Sequence, residues 1–364
     1  MKVGYIADVH VGNHKQFGGK TSNTMNERCL ETLSVLRAAC VRANAESCDA
    51  LVVLGDLFDV DDPTPQVVTA TWHALSAFAG TVYVLLGNHD QTSTERHDNA
   101  IALFGMSSKI VPIDRPTLVK QGRTLLALMP FNPEPPATWL GPALKELLGA
   151  RPADDILDDE VHLCVHLGIA DKNTPEWLEG AHDSIHKGAL SQHMADHSIR
   201  YAFAGNWHDR KTAVKGGRTI TQCGALVPTG FDNPGGSGLY GALVTACETE
   251  GLSIHEIDGP RFFKYVWPIT EAPEGSYIHI VAEPEDLTAA NRFVKDATAS
   301  NAIRGGKVTV NADAARTQAR AAAKATSRAD TLRDAVNAYV AKTPIPAGAD
   351  KHFLARLIHS YLTN

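Results

Sequence analysis

Side chains that can bind metal ions occur in this sequence at five places where a short apolar run ends. These places are Asp8-Val9-His10, Gly55-Asp56, Gly87-Asn88-His89-Asp90, His166 and Gly205-Asn206-Trp207-His208. Short apolar runs bounded by glycine and polar residues are typical of buried strands. Ligands of layered α/β folds bind just past the carboxyl ends of such strands. We therefore expect the five places to form one metal site; the alternative is five unrelated turns.

The residue types indicate which metals and which reaction this site suits. Carboxylate, amide oxygen and imidazole suit borderline-hard divalent ions such as Mn, Fe or Zn, whereas thiolates suit softer ions. Asp56 is the natural bridging ligand, because one carboxylate can offer an oxygen to each of two ions. Two ions about 3.5–4 Å apart can polarise a phosphoryl group and activate water at neutral pH. His89 directly follows Asn88, so its imidazole could reach a leaving-group oxygen as a general acid.

The ordered series resembles the calcineurin-like metallophosphoesterase superfamily, whose usual pattern is DxH, GDxxD, GNHD or GNHE, H, and GHxH. Gly55-Asp56-Leu57-Phe58-Asp59 and the chain length most resemble the SbcD branch of DNA exonuclease subunits. Members of that branch work with an SMC-type ATPase in double-strand-break processing and phage recombination. The segment 224–235 resembles phage-encoded members, and the motif resemblance covers roughly residues 1–260.

The resemblance implies a ligand set for two divalent ions, with manganese the metal that we expect. One ion would be held by Asp8, His10, Asp56 and His208, and the other by Asp56, Asn88, His166 and Asn206. The chain departs from the family at Asn206, where the family has histidine. An amide oxygen is a weaker donor than imidazole toward most transition metals, so we expect the second ion to bind more weakly. An inactivated enzyme is the alternative, although every other expected ligand is intact.

Three further residues are candidates for the same site. His193 or His197 could compensate for Asn206, although these two and His14 are typical of surface or helix-packing histidines. Asp59 lies one helical turn beyond Asp56 and would either orient a ligand or cap the following helix.

A length of 364 residues suggests two domains. The pattern of strands and helices divides the chain into three segments. Strands and helices alternate over residues 1–260, which is typical of a layered α/β domain. The resemblance implies an α/β sandwich there, with two mixed sheets flanked by helices. A β-α-β pattern within residues 261–315 matches, in position and size, the small α+β cap domain of the branch. Residues 316–364 would form a helical carboxyl-terminal tail.

Two local patterns predict how particular elements begin or run. Thr24 ahead of Glu27 resembles a capping box at the start of the first long helix. The segment from Arg261 to Trp267 is expected to cross and pack on the surface of the catalytic domain.

The tail carries two stripes that favour binding to partners. Arg316, Arg320, Lys324 and Arg328 recur every four residues in an Ala-rich stretch, so a helix would place them along one face. Such a face could bind DNA phosphates, or could be an ordinary solvated surface. The apolar stripe from Phe353 to Leu362 would pack on its own domain or dock on a partner helix. The resemblance implies that the partner is the SMC-type ATPase and that the nuclease is a homodimer.

Composition constrains the cellular setting. The net charge of −7 does not indicate a protein that binds DNA by bulk electrostatics. Six cysteines without CxxC or regular spacing indicate reduced thiols in a cytoplasmic compartment, the host cytoplasm if the protein is phage-encoded. There is no apolar run of about 18 residues, so no membrane span is expected, and no signal-peptide pattern occurs at the amino terminus.

Taken as a whole, the sequence favours a metal-dependent DNA nuclease that hydrolyses phosphodiester bonds in repair or recombination. Two other functions stay open: a small-molecule phosphodiesterase or phosphomonoesterase with the same metals, and a non-catalytic scaffold with a degenerate site. The first would act on nitrophenyl esters or cyclic nucleotides far better than on DNA. The function of a non-catalytic scaffold would be unchanged when His89 is replaced.

Overall fold

The computed structural model describes residues 1–22, 24–91, 99–149, 160–174, 183–231, 242–247 and 249–311. The predicted tail, residues 316–364, lies outside the described residues, as do Arg316, Arg320, Lys324 and Arg328. The chain forms two compact units. The first comprises Met1–Lys264, Glu271–His279 and Ala297–Gly306; the second comprises Tyr265–Thr270, Ile280–Asp296 and, among the described residues, 307–311. The predicted boundaries at residues 260 and 315 stay predictions.

The strands in chain order are β1 (Lys2–Ile6), β2 (Thr21–Ser22), β3 (Met25–Asn26), β4 (Ala50–Val53), β5 (Thr81–Leu85), β6 (Ile110–Ile113), β7 (Thr117–Gln121), β8 (Thr124–Met129), β9 (Glu160–Val165), β10 (Gly168–Ala170), β11 (Ser184–His186), β12 (Tyr201–Ala204), β13 (Lys211–Lys215), β14 (Arg218–Gln222), β15 (Ala242–Cys247), β16 (Gly251–Glu256), β17 (Arg261–Val266), β18 (Ser276–Ala282) and β19 (Ile303–Val310). Within the described residues the α-helices are α1 (Glu27–Ala45), α2 (Pro65–Leu75), α3 (Pro136–Gly149), α4 (Lys187–Asp196) and α5 (Leu287–Ala299), and short 3-10 helices span Ala102–Met106 and Pro284–Asp286.

Two six-stranded mixed sheets make up most of the first unit. The first sheet has the order β16-β15-β1-β4-β5-β6, with β1, β4, β5 and β6 parallel. The second has the order β13-β14-β12-β9-β8-β7, with β14, β12, β9 and β8 parallel and an antiparallel strand at each edge. Parallel strands from both sheets can therefore direct their carboxyl ends toward one site.

The apolar side chains of the strands point alternately to the two faces of each sheet. They therefore form one core between the two sheets and one outer layer on each side. Tyr5 and Leu54 of the first sheet pack in the same buried cluster as Leu126 and Phe203 of the second, and the rings of Tyr5 and Phe203 stack at 3.7 Å. Side chains on the opposite face of the first sheet form a cluster with α1 and α2, and those of the second sheet do so with α3 and α4. Successive strand residues point to opposite faces, which explains this division. The predicted α/β sandwich flanked by helices is confirmed.

A three-stranded sheet of order β17-β18-β19 follows the sandwich in sequence. Its first strand, β17, is the segment that the sequence suggested would merely cross the domain surface. Phe262 is the one fully buried side chain of this strand and packs with Phe231 and Tyr277, while the backbone of the strand pairs in the sheet. Among the helices of the described residues, none combines the length and the apolar character required to cross a bilayer.

Candidate metal centre

The predicted metal ligands lie just beyond strands of both sheets. Asp8 and His10 follow β1, Asp56 follows β4, Asn88 follows β5, His166 follows β9, and Asn206 and His208 follow β12. Since β1, β4 and β5 belong to one sheet and β9 and β12 to the other, both sheets contribute to one site. The structure brings all seven residues together, with the individual contacts described below.

The backbone of the first two ligand loops is held in an unusual conformation. Asp8, His10 and Asp56 have φ of 49°, 51° and 49°, in the left-handed region that non-glycine residues rarely adopt. The Asp56 carbonyl accepts hydrogen bonds from the Val9 and His10 backbone N–H groups at 2.9 and 3.0 Å, which locks the loops together. Such backbone strain clusters at functional sites, where the surrounding structure enforces it.

Two glycines permit the close approach of the ligands. A Cβ atom at Gly87 would overlap the backbone and carboxylate of Asp56, and one at Gly55 would overlap the imidazole of His166. Gly55 also has a φ of 92°, which favours glycine for conformational reasons. The glycines of the GD and GN motifs are therefore required by packing around the ligands.

Asp8, His10 and His208 form the first group of potential metal-binding atoms. One atom from each of these three side chains lies within 4.8 Å of the others. His10 Nε2 lies 3.0 Å from His208 Nε2 and 3.8 Å from Asp56 Oδ2. This group matches the predicted ligand set of the first ion.

Asp56, Asn88 and His166 form the core of the second group. His166 Nδ1 donates to the Leu54 carbonyl oxygen at 2.6 Å, because a carbonyl can only accept. Nε2 is then the ring nitrogen available to a metal ion, and it lies 2.9 Å from Asn88 Oδ1 and 3.5 Å from Asp56 Oδ1. Both oxygens are thus close to the nitrogen that would ligate the second ion.

The chemistry of the donor set fits divalent cations. Asp8 Oδ2 and His10 Nδ1 are buried and have no hydrogen-bond partner within the described parts of the chain. Burial, with the nearby Asp56 carboxylate, raises the pKa of Asp8 well above its ordinary value. Burial, with the neighbouring His208 ring, lowers the pKa of His10 well below its ordinary value, which leaves this imidazole neutral for ligation. Bound cations would offset the cost of burying these carboxylates.

Family membership follows from comparison of the sequence with known families. The profile of the calcineurin-like phosphoesterases matches residues 1–210, and the chain belongs to this family. Family and ligand groups together define a dimetal phosphoesterase, a hydrolase of phosphate esters. The superfamily predicted from the motifs is thus confirmed, whereas the SbcD-type branch and a phage origin stay predictions.

Solved structures with a similar chain path have low sequence identity. A protein from Thermus thermophilus is 12% identical, with a TM-score of 0.46, over 71% of this chain and 99% of that chain. A dimetal phosphatase from Danio rerio is 15% identical, with a TM-score of 0.44, over 70% and 96% of the two chains. An archaeal phosphodiesterase is 10% identical, with a TM-score of 0.36, over 70% and 99%. No functional conclusion follows from similarity at this level, and no match is found among curated proteins.

His89, the predicted general acid, lies beside the metal ligands and is exposed. Its backbone N–H donates to Asp56 Oδ1 at 2.9 Å, and its ring meets the His10 ring edge-on at a centroid distance of 4.9 Å. His89 Nδ1 donates to the Asp59 carbonyl oxygen at 3.1 Å, which directs Nε2 away from this backbone. His89 also forms a potential metal-binding group with His10 and Asp56, so the geometry permits ligation as well as acid catalysis.

Asp59 and His14 lie next to His10. Asp59 Oδ1 is 3.9 Å from His10 Nδ1, and Asp59 Oδ2 is 3.5 Å from His14 Nδ1. The cap of α2 is Thr64, whose side chain accepts from the Val67 N–H, so Asp59 does not cap that helix. The sequence predicts surface or helix packing for His14, but its Nε2 lies 3.0 Å from the His10 carbonyl oxygen. No sequence pattern indicated this contact, because residues 10–14 form a loop and not a helix.

Asn206 contacts Asp183 and not a compensating histidine. His193 packs beside Gly141 of α3, and His197 ends α4. Neither occurs in a potential metal-binding group within the described residues. The side-chain amide of Asn206 instead donates to Asp183, a residue that no sequence motif singled out.

Proposed function

We propose that this protein is a metal-dependent DNA nuclease of the SbcD type, which uses two divalent ions, manganese foremost, to hydrolyse phosphodiester bonds. The observation that carries the proposal is the exposed His89 next to the buried Asp56. An acid at the open side of a phosphoesterase centre can reach the leaving oxygen of a strand that lies across the surface. The choice of DNA as the substrate is supported by the resemblance of Gly55-Asp56-Leu57-Phe58-Asp59 to the nuclease branch.

The residues of the centre divide the reaction between them. Asp8, His10, Asp56 and His208 would hold one ion, and Asp56, Asn88, His166 and Asn206 the other. Two ions bound there would polarise a phosphoryl group and lower the pKa of a water molecule. Protonated His89 holds a proton at Nε2 while the Asp59 carbonyl oxygen fixes its Nδ1. Donation of that proton to the leaving oxygen would complete strand cleavage.

The expected partners and location belong to the same proposal. An SMC-type ATPase would associate with the nuclease, and the nuclease would be a homodimer, as in the proteins that the motifs resemble. A cytoplasmic location is supported by the cysteines, all six of which are free thiols. Burial raises the pKa of Cys40 to about 12 and that of Cys29 to about 11, so both thiols stay protonated and unreactive.

A comparison of substrates at a fixed Mn²⁺ concentration tests the choice of DNA. Single-stranded, double-stranded and hairpin DNA are compared with bis-p-nitrophenyl phosphate, p-nitrophenyl phosphate and cyclic nucleotides. We expect DNA to be cleaved with the highest kcat/KM. Efficient turnover of the small esters without cleavage of any DNA would instead establish a small-molecule phosphodiesterase or phosphomonoesterase. No turnover of any substrate with both ions bound would favour the scaffold.

A further inference from the structure

The side-chain amide of Asn206 has both of its hydrogen-bond donors directed at one residue. Asn206 Nδ2 lies 2.8 Å from Asp183 Oδ2 and 3.3 Å from the Asp183 carbonyl oxygen. Both acceptors belong to a half-buried aspartate 23 residues earlier in the chain. This contact lies where the family has a histidine ligand and where this chain has an amide.

The chemistry of these acceptors decides which way the amide faces. A carboxylate and a backbone carbonyl only accept hydrogen bonds, whereas an amide has one end that donates and one that accepts. If the Asn206 amide were reversed, its oxygen would face two other oxygens. Asp183 therefore selects the orientation in which Asn206 Oδ1 is the atom left over for a cation.

The main chain around this pair is fixed at both ends. The Asp183 carbonyl oxygen accepts the Gly168 N–H at 2.8 Å, two residues beyond the ligand His166. The Asn206 backbone N–H donates to Asp8 Oδ1 at 2.8 Å, and Asn206 has a φ of 76°. The main chain of Asn206 is thus bonded to the first ligand group, and that of Asp183 is bonded to the loop that follows His166 of the second group. The Asn206 side chain could still rotate, and its hydrogen bonds with Asp183 prevent this rotation.

We propose that Asp183 is a positioning residue that makes Asn206 a working ligand of the second ion. Asp183 holds the Asn206 side chain with Oδ1 available to the ion. Its hydrogen bonds also polarise the amide, so that Oδ1 binds a cation more strongly than the oxygen of an amide without such a contact. Carboxylates that hydrogen-bond to metal ligands commonly act in this way. The inference rests on the two-ion centre of the proposed function but not on DNA being the substrate.

Titration calorimetry with Mn²⁺ on the full chain tests this role through Asp183→Asn. The new amide can donate or accept, so it permits both orientations of Asn206 at nearly unchanged volume. We expect the affinity for the second ion to fall by about 10- to 100-fold, the range typical for loss of such a contact, while the first ion binds as in the wild type. Asp171→Asn is the matched control, because this carboxylate contacts Lys187 and the Asn173 N–H rather than Asn206.

A double-mutant cycle separates positioning from a general structural effect. Asn206→Ala should weaken binding of the second ion. Adding Asp183→Asn to Asn206→Ala should not change the affinity for that ion further. Thermal unfolding of the metal-free variants should show Asp183→Asn within a few degrees of the wild type.

Three results would overturn the proposal: unchanged second-ion affinity in Asp183→Asn, equal loss of both ions, or an Asp183→Asn chain that does not fold. Independent, additive losses in the cycle would also contradict it. A wild-type protein that binds both ions but does not cleave DNA would refute the nuclease proposal and leave the role of Asp183 intact.

Discussion

At the scale of single residues, potential metal-binding atoms from distant parts of the sequence converge on one carboxylate. Asp56 lies at the centre of this arrangement, with one oxygen 3.8 Å from His10 Nε2 and the other 3.5 Å from His166 Nε2. The sequence predicted these residues because each follows an apolar run and its type suits a divalent ion. It could not predict Asp183, since its contact with Asn206 depends on how two distant loops approach.

His89→Ala tests whether His89 donates a proton or binds a metal. We expect the Mn²⁺ stoichiometry to stay at the wild-type value, while cleavage of DNA slows by about 10²-fold or more. A nitrophenyl ester should be affected much less, because its leaving group does not need a proton. The measurements are kcat on both substrates and calorimetric metal content.

His73→Ala is the control for this substitution, since His73 is an exposed residue of α2. Loss of an ion in His89→Ala would instead assign His89 to the ligand group that it forms with His10 and Asp56. Equal rate losses on both substrates would point to substrate binding or structure.

At the scale of elements, helix α1 is connected to the loop that follows the ligand His10. The predicted capping box at Thr24 is wrong: Thr24 has a φ of 69°, and the N-cap is Asn26. Asn26 Oδ1 accepts the Cys29 N–H at 2.9 Å, while Asn26 Nδ2 donates to the His14 carbonyl oxygen at 2.9 Å. The sequence pattern located the start of the helix to within a few residues. It could not choose the cap, because loop contacts decide it.

Replacing Asn26 by alanine removes both the cap and the contact with the loop. We expect the free energy of unfolding to fall by about 1–2 kcal/mol, the upper range for loss of an N-cap. Asn26→Ser restores a capping oxygen without the amide donor, and should recover most of the loss. Urea unfolding of the three proteins measures this. A serine variant no more stable than the alanine variant would show that the loop contact, and not the cap, dominates.

At the scale of the whole molecule, a layered α/β domain was predictable because the alternation of strands and helices is regular and the buried strands are short and apolar. The arrangement of two sheets in a sandwich was expected from the family resemblance. The family profile over residues 1–210 supports the same architecture. The pairing of β17 with β18 was not predictable in this way, since its sequence Arg261–Val266 mixes charged and aromatic residues. The predicted roles of the tail depend on residues outside the described structure and stay predictions.

A chain that ends at Thr331 tests the proposed partner-binding role of the tail. We expect this protein to keep Mn²⁺ binding and nitrophenyl ester hydrolysis, because every ligand lies before residue 210. It should lose association with an SMC-type ATPase and ATP-stimulated DNA cleavage, as measured by co-purification and nuclease assay. If the shortened chain unfolds or loses basal hydrolysis, the apolar stripe belongs to the protein's own core.

Metal-dependent DNA cleavage is tested most directly by assaying the full-length protein in excess EDTA and again after addition of Mn²⁺ or Mg²⁺. The ligand set contains imidazoles as well as oxygens, which favours Mn²⁺ over Mg²⁺. We expect EDTA to abolish cleavage and Mn²⁺ to restore it more fully than Mg²⁺. Asp56→Asn should prevent this recovery, because Asp56 lies between the two ligand groups. Undiminished DNA cleavage in excess EDTA would contradict a metal-dependent nuclease.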